Sequence, residues 1–184
     1  MSQNKRAELI RKALLLFYRN GFHATGMDLV AKETGVSKTS IYKHFRTKEE
    51  LVLAVLRLRD ENFRNWLYRR MEELAETPGD QLLAMFDALG EWFVEDGFKG
   101  CMFIKASAEF QEREHAINVQ AYEHKRLLVD HFEKLARDAG LSDPHRVARQ
   151  LLILKEGAIV VAAMSHAEAS AAEAKATAIT LLRS

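Results

Sequence analysis

Residues 25–51 read TGMDLVAKETGVSKTSIYKHFRTKEEL, and this stretch decides the fold of the chain. Apolar residues recur at helical spacing in two short runs, Asp28–Thr34 and Lys38–Phe45, which are separated only by Gly-Val-Ser at residues 35–37. A glycine suits the end of the first run, and a serine suits the N-cap of the second. Two short helices joined by a tight turn of this kind predict a helix-turn-helix motif.

Capping signals outside this motif predict the helices on either side of it. Gly21 is expected to end a first helix that covers residues 4–20. Thr25, with Asp28 three residues later, is expected to be the N-cap of the first short helix. Thr47, followed three residues later by a glutamate, predicts the start of a long amphipathic helix.

The rest of the chain has the pattern of long helices. Apolar residues recur at three- and four-residue spacing almost throughout, alternating strand-like runs are hard to find, and the 184 residues include only two prolines. The chain is therefore predicted to be all-α. Its later helices are expected at about residues 48–76, 81–96, 101–111, 115–139, 145–165 and 167–182.

The net charge of +1 conceals an uneven distribution along the chain. Residues 1–48 carry ten Lys and Arg against three Asp and Glu, which gives +7, and the remaining residues carry −6. A basic segment attached to an acidic body is typical of proteins that bind nucleic acid. The alternative interpretation is that the basic patch is only a solvated face.

Cysteine content and hydropathy exclude several classes of protein. Cys101 is the sole cysteine, which rules out an intramolecular disulfide framework or a multi-cysteine zinc site and suits the reducing cytoplasm. The longest apolar stretch, Leu151–Met164, is interrupted by Lys155 and Glu156, so it falls short of the roughly 18–20 apolar residues that a membrane span needs. We therefore expect a cytoplasmic protein without a membrane segment.

Three short motifs together point to one family. They are the Gly-Val-Ser turn at residues 35–37, Tyr-x-His-Phe at 42–45 and Lys-Glu-x-Leu at 48–51. With them, residues 25–51 resemble the DNA-binding signature of the TetR family of bacterial transcriptional regulators. One departure is Thr39-Ser40, since many members carry a glycine before the aliphatic-Tyr pair.

The resemblance implies a fold and a function. The implied fold has an N-terminal three-helix helix-turn-helix DNA-binding domain, residues 1–47, and a C-terminal helical bundle for ligand binding and dimerisation, residues 48–184. The implied function is that of a homodimer that binds double-stranded DNA at a palindromic operator. It is expected to be a repressor that a small hydrophobic or aromatic effector releases from the operator. The alternatives are a DNA-bound architectural factor without an effector, and a helical-bundle metalloenzyme.

The resemblance and the chemistry of the side chains also give the candidate DNA contacts. Thr25, at a helix N-terminus, is expected to offer its hydroxyl and neighbouring backbone N–H groups to a phosphate. Tyr42 and His44 match the phosphate-contacting pair of the family, although Tyr42 has the alternative of packing only. Lys48 lies in the first turn of a helix, where a cation is better placed beside a phosphate than beside the helix dipole alone. Donors to base edges in the major groove are expected from Ser37, Lys38, Thr39, Ser40 and Lys43.

Aromatic residues and histidines in the middle of the chain are the candidates for an effector site. Their density suits a cavity for a hydrophobic or aromatic molecule, and two of the histidines share one helical face with leucines, where an imidazole can orient a polar group. The alternative is an ordinary core with hydrogen-bonded histidines. The candidates are Phe63, Trp66, Phe86, Trp92, Phe93, Phe103, Phe110, His124 and His131.

Cys101 is a candidate redox-sensing thiol, since Lys99, Lys105 or a helix N-terminus nearby would stabilise a thiolate. The alternative is a buried, unreactive cysteine, which is the commoner environment of a free thiol.

The sequence lacks the patterns of the enzymes considered. A di-iron bundle needs Glu-x-x-His on two helices, and only Glu112–His115 has that spacing. There is no glycine-rich phosphate loop of the Walker type and no Gly-x-Ser-x-Gly elbow. We expect no catalytic residue, no metal and no cofactor.

The resemblance to the family also implies that the last two predicted helices pair with their copies in a four-helix dimer interface. Small residues allow such helices to approach closely, and these helices contain Ala162, Ala163, Ala171, Ala172 and Ala176.

Overall fold

The computed structural model describes residues 3–165 and 167–183, and over these ranges its regular structure is entirely helical. The predicted all-α class is confirmed. The helices are α1 Gln3–Asn20, α2 Met27–Thr34, α3 Lys38–Tyr42, α4 Lys48–Leu74, α5 Pro78–Phe93, α6 Met102–Glu109, α7 Ala116–Asp138, α8 Pro144–Met164 and α9 Ala167–Leu182.

Local capping explains where several helices begin and end. Gly21 and Gly35 follow α1 and α2 with positive φ values of 88° and 70°. The hydroxyl of Thr77 accepts a hydrogen bond from the N–H of Asp80 at the start of α5. One predicted cap is wrong, because the N-cap of α2 is Gly26, which forms no side-chain cap, rather than Thr25.

The chain divides into two compact units. One contains the described residues up to Asn62 together with Met102–Glu123, and the other contains Phe63–Cys101 together with the described residues from His124 onward. Helices α4 and α7 each contribute residues to both units. The predicted domain boundary between residues 47 and 48 stays a prediction.

In the first unit, α1 packs against α2, and α2 packs against α3. Leu9, Ala13 and Phe17 of α1 are fully buried, as the apolar spacing of this helix predicts. Val30 of α2 and Ile41 of α3 are also fully buried. Each large apolar side chain removed from water contributes about 1.5–3 kcal/mol, so this small core fixes the orientation of α3.

In the second unit, α9 packs against both α5 and α8. The approach of α9 to α5 is close, since a Cβ on Gly90 would lie 3.4 Å from the Cβ of Ala171. Lys175 of α9 also pairs with Asp87 of α5 at 2.6 Å. Ala171 is 5% exposed, so this alanine packs within its own chain. The expectation that it lies in the contact between two copies of α9 is therefore wrong.

Candidate nucleic-acid interface

The turn between α2 and α3 is held by hydroxyl groups. The hydroxyl of Ser37 accepts a hydrogen bond from the N–H of Ser40 at 3.3 Å and donates to the hydroxyl of Ser40 at 3.0 Å. Thr34 donates its hydroxyl to the carbonyl of Val30 at 2.7 Å, and Lys12 of α1 donates to the carbonyl of Thr34 at 3.2 Å. Of the predicted base-contacting hydroxyls, that of Ser37 therefore also caps α3, and that of Ser40 is hydrogen-bonded to it.

Helix α3 presents polar side chains to water on one side and Ile41 to the core on the other. It ends at Tyr42, earlier than the predicted Phe45, although the N–H of Phe45 still donates to the carbonyl of Ile41 at 3.0 Å. Tyr42 is 43% exposed. The remaining candidates around it are the exposed Ser37, Lys38, Thr39 and Lys43 and the half-buried Ser40 and His44.

Lys38 and Lys43, the two candidate guanine-binding lysines, differ in their surroundings. The ammonium of Lys38 lies 2.9 Å from a carboxylate oxygen of Asp28, and hydrogen bonding to this carboxylate raises the pKa of Lys38. The pair is solvent-exposed, and exposed pairs contribute little to folding. Asp28 therefore competes with a base edge for the ammonium of Lys38.

Thr25 is placed differently from its predicted role. Its side chain is fully buried, and its hydroxyl donates to the carbonyl of Gly21 at 2.7 Å. The hydroxyl thus closes the turn between α1 and α2 and does not face the surface. A hydroxyl contact from Thr25 to a phosphate does not fit this geometry.

Lys48 stands in the first turn of α4, next to a completed N-terminal cap. The hydroxyl of Thr47 accepts from the N–H of Glu50 at 3.2 Å. The ammonium of Lys48 donates to the carbonyl of His23 at 3.3 Å. Burial lowers the pKa of Lys48, and the nearby carboxylates of Glu109 and Glu49 oppose that effect.

Glu109, at the end of α6, anchors the turn that follows α1 and was not singled out as a site residue by the sequence analysis. Its carboxylate accepts hydrogen bonds from the N–H groups of Phe22, at 2.9 Å, and His23, at 2.5 Å. The Nδ1 atom of His23 lies 3.1 Å from the same carboxylate. No spacing rule connects positions 86 and 87 residues apart, so the sequence held no signal for this contact.

Several candidate effector residues form one cluster in the second unit, which we call the aromatic cluster. The Phe63 ring lies 5.3 Å from Trp92, 5.6 Å from Trp66 and 5.7 Å from His124, measured between centroids. Phe98, which the sequence analysis did not list, joins the cluster at 4.8 Å from Trp92. The members are Phe63, Trp66, Trp92, Phe93, Phe98 and His124.

Other candidate effector residues lie elsewhere. Phe110, in the first unit, packs against Phe22, His23 and His115, with centroid distances of 6.1, 4.8 and 4.9 Å. It belongs to the core beneath the turn after α1. Two further candidates, Phe86 in the second unit and Phe103 in the first, are at most 2% exposed core residues.

His131 stacks on Tyr68 rather than joining the aromatic cluster, with ring centroids 3.6 Å apart. Burial, reinforced by the positive charges of Lys134 and Arg64, lowers the pKa of His131 to about 4. The imidazole is therefore neutral at physiological pH.

The lysine beside Cys101 is not one of those predicted. The ammonium of Lys125, on α7, lies 3.2 Å from the sulfur. Lys105 instead donates to the carbonyl of Tyr18 at 3.2 Å. Because Lys125 is 24 residues away along the chain, the sequence gave no local signal for it.

Neither a metal-binding group nor a membrane-spanning helix is found among the described residues. No three His, Cys, Asp or Glu side chains in residues 3–165 and 167–183 are grouped so that they could hold a metal ion. None of the helices in these ranges has a stretch long and apolar enough to cross a membrane.

Comparison with known proteins relates this chain to one family of regulators. A model of bacterial regulatory proteins of the tetR family matches residues 9–55. The HTH-type transcriptional regulator YjdC of Escherichia coli is 25% identical over 97% of this chain and 94% of its own length. The transcriptional activator FasR of Mycolicibacterium smegmatis is 32% identical over 81% of this chain and 66% of its own length. A TetR-family transcriptional regulator from Streptomyces coelicolor has a similar structure, with a TM-score of 0.91 at 25% identity over 100% of this chain and 90% of that one.

Proposed function

The chain belongs to the TetR family of bacterial transcriptional regulators and is a DNA-binding regulator rather than an enzyme, and from this premise we propose that it is a homodimeric, effector-released repressor. The observation that carries the proposal is the polar face of α3, held outward by the buried Ile41. Such a helix fits the major groove, where lysines donate to guanine.

We assign the DNA contacts by position on this face. Lys43 and Lys38, with Thr39 and the hydroxyls of the turn, are the groups proposed to contact base edges. Tyr42 and His44 at the end of α3 and Lys48 at the start of α4 are proposed to contact phosphates. The basic character of residues 1–48 adds a non-specific attraction that weakens with salt.

The proposed partner is a second copy of the chain, bound along α8 and α9. Ile153 and Met164 of α8 are 69% and 77% exposed. Between α8 and α9 lies an open groove of about 520 Å³ lined mainly by apolar side chains. Contiguous exposed apolar surface of this kind usually marks an interface. A two-fold dimer would read a palindrome with half-sites about one helical turn of DNA or slightly more apart.

Effector release is proposed to act through the second unit. The aromatic cluster offers flat apolar side chains with the imidazole of His124 among them, which suits a small hydrophobic or aromatic molecule. An effector releases the operator only if it binds the state that is not competent for DNA more tightly. Helix α4 runs from Lys48 to Leu74. It is proposed to transmit the conformational change that effector binding causes to the DNA-binding helices.

The test of DNA recognition is a mobility shift with DNA from upstream of the gene itself, using Lys43→Ala and Lys38→Ala. Loss of one guanine contact removes about 1–3 kcal/mol, so binding should weaken by about 5- to 150-fold. Lys134→Ala, an exposed lysine on α7, is the matched control and should bind as the wild type does. Unchanged binding in both α3 variants would overturn the assignment.

The test of assembly is gel filtration of the wild type and Ile153→Asp. A carboxylate placed in the apolar groove has to lose its water on association, so the variant should elute as a monomer while the wild type elutes as a dimer. A monomeric wild type would contradict the proposal.

A further inference from the structure

A notch lies between α1 and the turn that precedes α3, and we call it the α1 notch. Its volume is about 530 Å³. Helix α1 contributes Lys5, Glu8 and Lys12 to its lining, and residues 34–37 and Ser40 form the other side. All of these residues belong to the first unit. The notch therefore adjoins the N-terminal end of α3, the helix proposed to enter the major groove.

The charged groups of the α1 notch have an excess of positive charge. The ammonium of Lys12 lies 3.1 Å from a carboxylate oxygen of Glu8 and donates to the carbonyl of Thr34 at 3.2 Å. Lys12 therefore offsets the charge of Glu8 within the notch. Lys5 is exposed and adds a second ammonium group to the lining. Two cations and one anion at one site favour an anionic ligand.

Ser40 brings a hydroxyl group to the same notch. Its side chain is half-buried, whereas Lys38 and Thr39 on the same helix are exposed. The oxygen of Ser40 accepts a hydrogen bond from the hydroxyl of Ser37 at 3.0 Å, so the hydrogen of Ser40 is directed to a different acceptor. Since Ser40 stands where many members of the family carry a glycine, this hydroxyl distinguishes the notch of the present chain.

The position of the notch beside α3 determines which part of the DNA it meets. The major groove is about 12 Å wide, and an α-helix with its side chains is about 10–12 Å across, so a helix in the groove fills it. Groups that flank the helix then face the sugar–phosphate backbone at the edge of the groove. Phosphate oxygens accept hydrogen bonds from ammonium and hydroxyl groups, which are the donors that the notch offers.

We propose that the α1 notch binds a phosphate group of the DNA backbone, with the ammonium of Lys5 and the hydroxyl of Ser40 as donors. This inference rests on the proposed function, since it requires α3 to lie in the major groove. It extends the DNA-binding surface onto α1, and it assigns Ser40 to a phosphate rather than to a base edge. A free phosphate ion offers the same oxygen atoms, so the experiments have to distinguish the two sources.

The first experiment measures fluorescence anisotropy of two duplexes at several salt concentrations: DNA from upstream of the gene itself, and an unrelated sequence of equal length. Lys5→Met should weaken binding to both duplexes by a similar factor, about five- to tenfold at about 0.1 M salt for each notch that engages DNA. The slope of log K against log salt should fall by about 0.9 for each such notch. An unchanged slope would overturn the phosphate contact.

Arg11→Met is the matched control for charge. Arg11 is an exposed cation on α1 and does not line the notch. Its removal takes the same charge from the same helix, so it should lower the affinity and the slope less than Lys5→Met does. Equal effects of the two variants would mean that α1 contributes only diffuse attraction, and would overturn the notch as a site.

Ser40→Ala separates the hydroxyl from the charge. The N-cap of α3 belongs to Ser37, which accepts from the N–H of position 40 and is retained in this variant. Loss of a hydrogen bond to a charged group should weaken binding to both duplexes by about tenfold, with an unchanged salt slope because no charge is removed. Unchanged binding, or a loss confined to the upstream duplex, would overturn the assignment of Ser40 to a phosphate.

Lys43→Ala shows whether the notch or the proposed function has failed. This variant, assigned to a base edge, should weaken binding to the upstream duplex more than binding to the unrelated one. If it does so while Lys5→Met and Ser40→Ala bind as the wild type does, the notch is wrong and the proposed function stands. If the wild type binds the two duplexes equally, sequence-specific recognition fails, and the salt slope of Lys5→Met still tests the notch.

Glu8→Gln should change the affinity in the opposite direction. Its carboxylate repels a phosphate in the notch, so the variant should bind both duplexes a few-fold more tightly at low salt, a result that partial unfolding does not produce. Glu33→Gln removes the same charge from the exposed surface of α2, outside the notch, and is the matched control. Equal gains in the two variants would contradict a site at Glu8.

Thermal unfolding without DNA tests the free ion as the source of the phosphate group. Inorganic phosphate and chloride are compared at equal ionic strength, for the wild type and Lys5→Met, because a bound ion raises the stability of the folded state. Stabilisation by phosphate that Lys5→Met lacks, together with DNA binding that Lys5→Met retains in full, would assign the notch to a free ion and overturn the DNA contact. A reduced affinity and salt slope of Lys5→Met supports the DNA contact.

Discussion

Lys38 on α3 and Lys155 on α8 each hold a carboxylate oxygen at close distance, 2.9 and 2.8 Å, but only Lys38 faces water. The pair of Lys38 with Asp28 is screened by solvent and salt, so it can exchange one partner for another at little cost. Lys155, Lys125 and Glu156 form a charge cluster that is largely shielded from water, and removing Glu156 would take away the carboxylate that the buried ammonium of Lys155 contacts. The same chemical groups therefore suit exchangeable contacts on α3 and shielded ion pairs between α7 and α8.

The largest difference between the exposed pair on α3 and the charge cluster is expected in stability, for the variant Glu156→Gln. The substitution keeps the shape of the side chain but removes the carboxylate charge that Lys155 and Lys125 contact. Breaking a buried ion pair costs about 3–5 kcal/mol, and urea unfolding should show a loss of that size. Glu133→Gln, which disturbs exposed contacts with Arg137 and His145, is the control and should change the midpoint little. Equal midpoints for the two variants would mean that water reaches the charge cluster freely.

A smaller effect is expected at the edge of the DNA-binding face, for Lys48→Met. Removing a cation that neutralises one phosphate should weaken DNA binding and lower the slope of log K against log salt by about 0.9. Fluorescence anisotropy at several salt concentrations gives both quantities. The folded state should be retained, since the hydrogen bond from the ammonium to the carbonyl of His23 is long, at 3.3 Å, and exposed. A loss of affinity with an unchanged slope would argue against a phosphate contact.

The pH dependence of the free energy of unfolding gives a further test, at His131. This side chain is half-buried, between the exposed Lys38 and the buried Lys155. Burial, with Lys134 and Arg64, lowers the pKa of His131 in the folded state to about 4, whereas an unfolded histidine titrates near 6.5. The unfolded chain therefore binds the proton more readily, and stability is lost as the pH falls from about 6.5 towards 4. In His131→Gln this part of the decline should be absent from urea midpoints measured over that range. Parallel declines in both proteins would contradict the assignment.

The smallest effect is expected from Asp28→Asn, which releases Lys38. Thermal unfolding should be unchanged, because the pair is exposed. DNA binding at low salt should become slightly tighter, since a competing carboxylate is removed, and the difference should vanish at high salt. Weaker binding of the variant would show that Asp28 positions Lys38 rather than competing for it.

The sequence predicted best what local chemistry decides. Gly21 and Gly35 end their helices as expected, and Ser37 caps α3 as expected, because capping depends on residues within one turn. The candidates on α3 came from the family resemblance and the chemistry of the side chains, and they stay predictions. Thr25 was misassigned as an N-cap because its hydroxyl reaches back to the carbonyl of Gly21, an acceptor that an N-terminal capping rule does not consider.

What the sequence did not predict depends on contacts between distant residues. Lys125 reaches Cys101 across 24 residues, and Glu109 reaches Phe22 across 87. Spacing along one helix shows which face is apolar but not which partner that face meets. The density of aromatic residues pointed to Phe63 and Trp92, which are in contact in the structure. It also pointed to Phe110, which packs in the other unit.

Gly21 and Gly26 flank the same turn, yet they should differ in mutational tolerance. A Cβ at position 21 would lie 3.0 Å from Oε1 of Glu109, and the backbone there has a φ of +88°, which side chains rarely adopt. A Cβ at position 26 would meet nothing within 4 Å, and its φ is −75°. In a library randomised at both positions and selected for folded protein, position 21 should return almost only glycine, while position 26 should accept many residues.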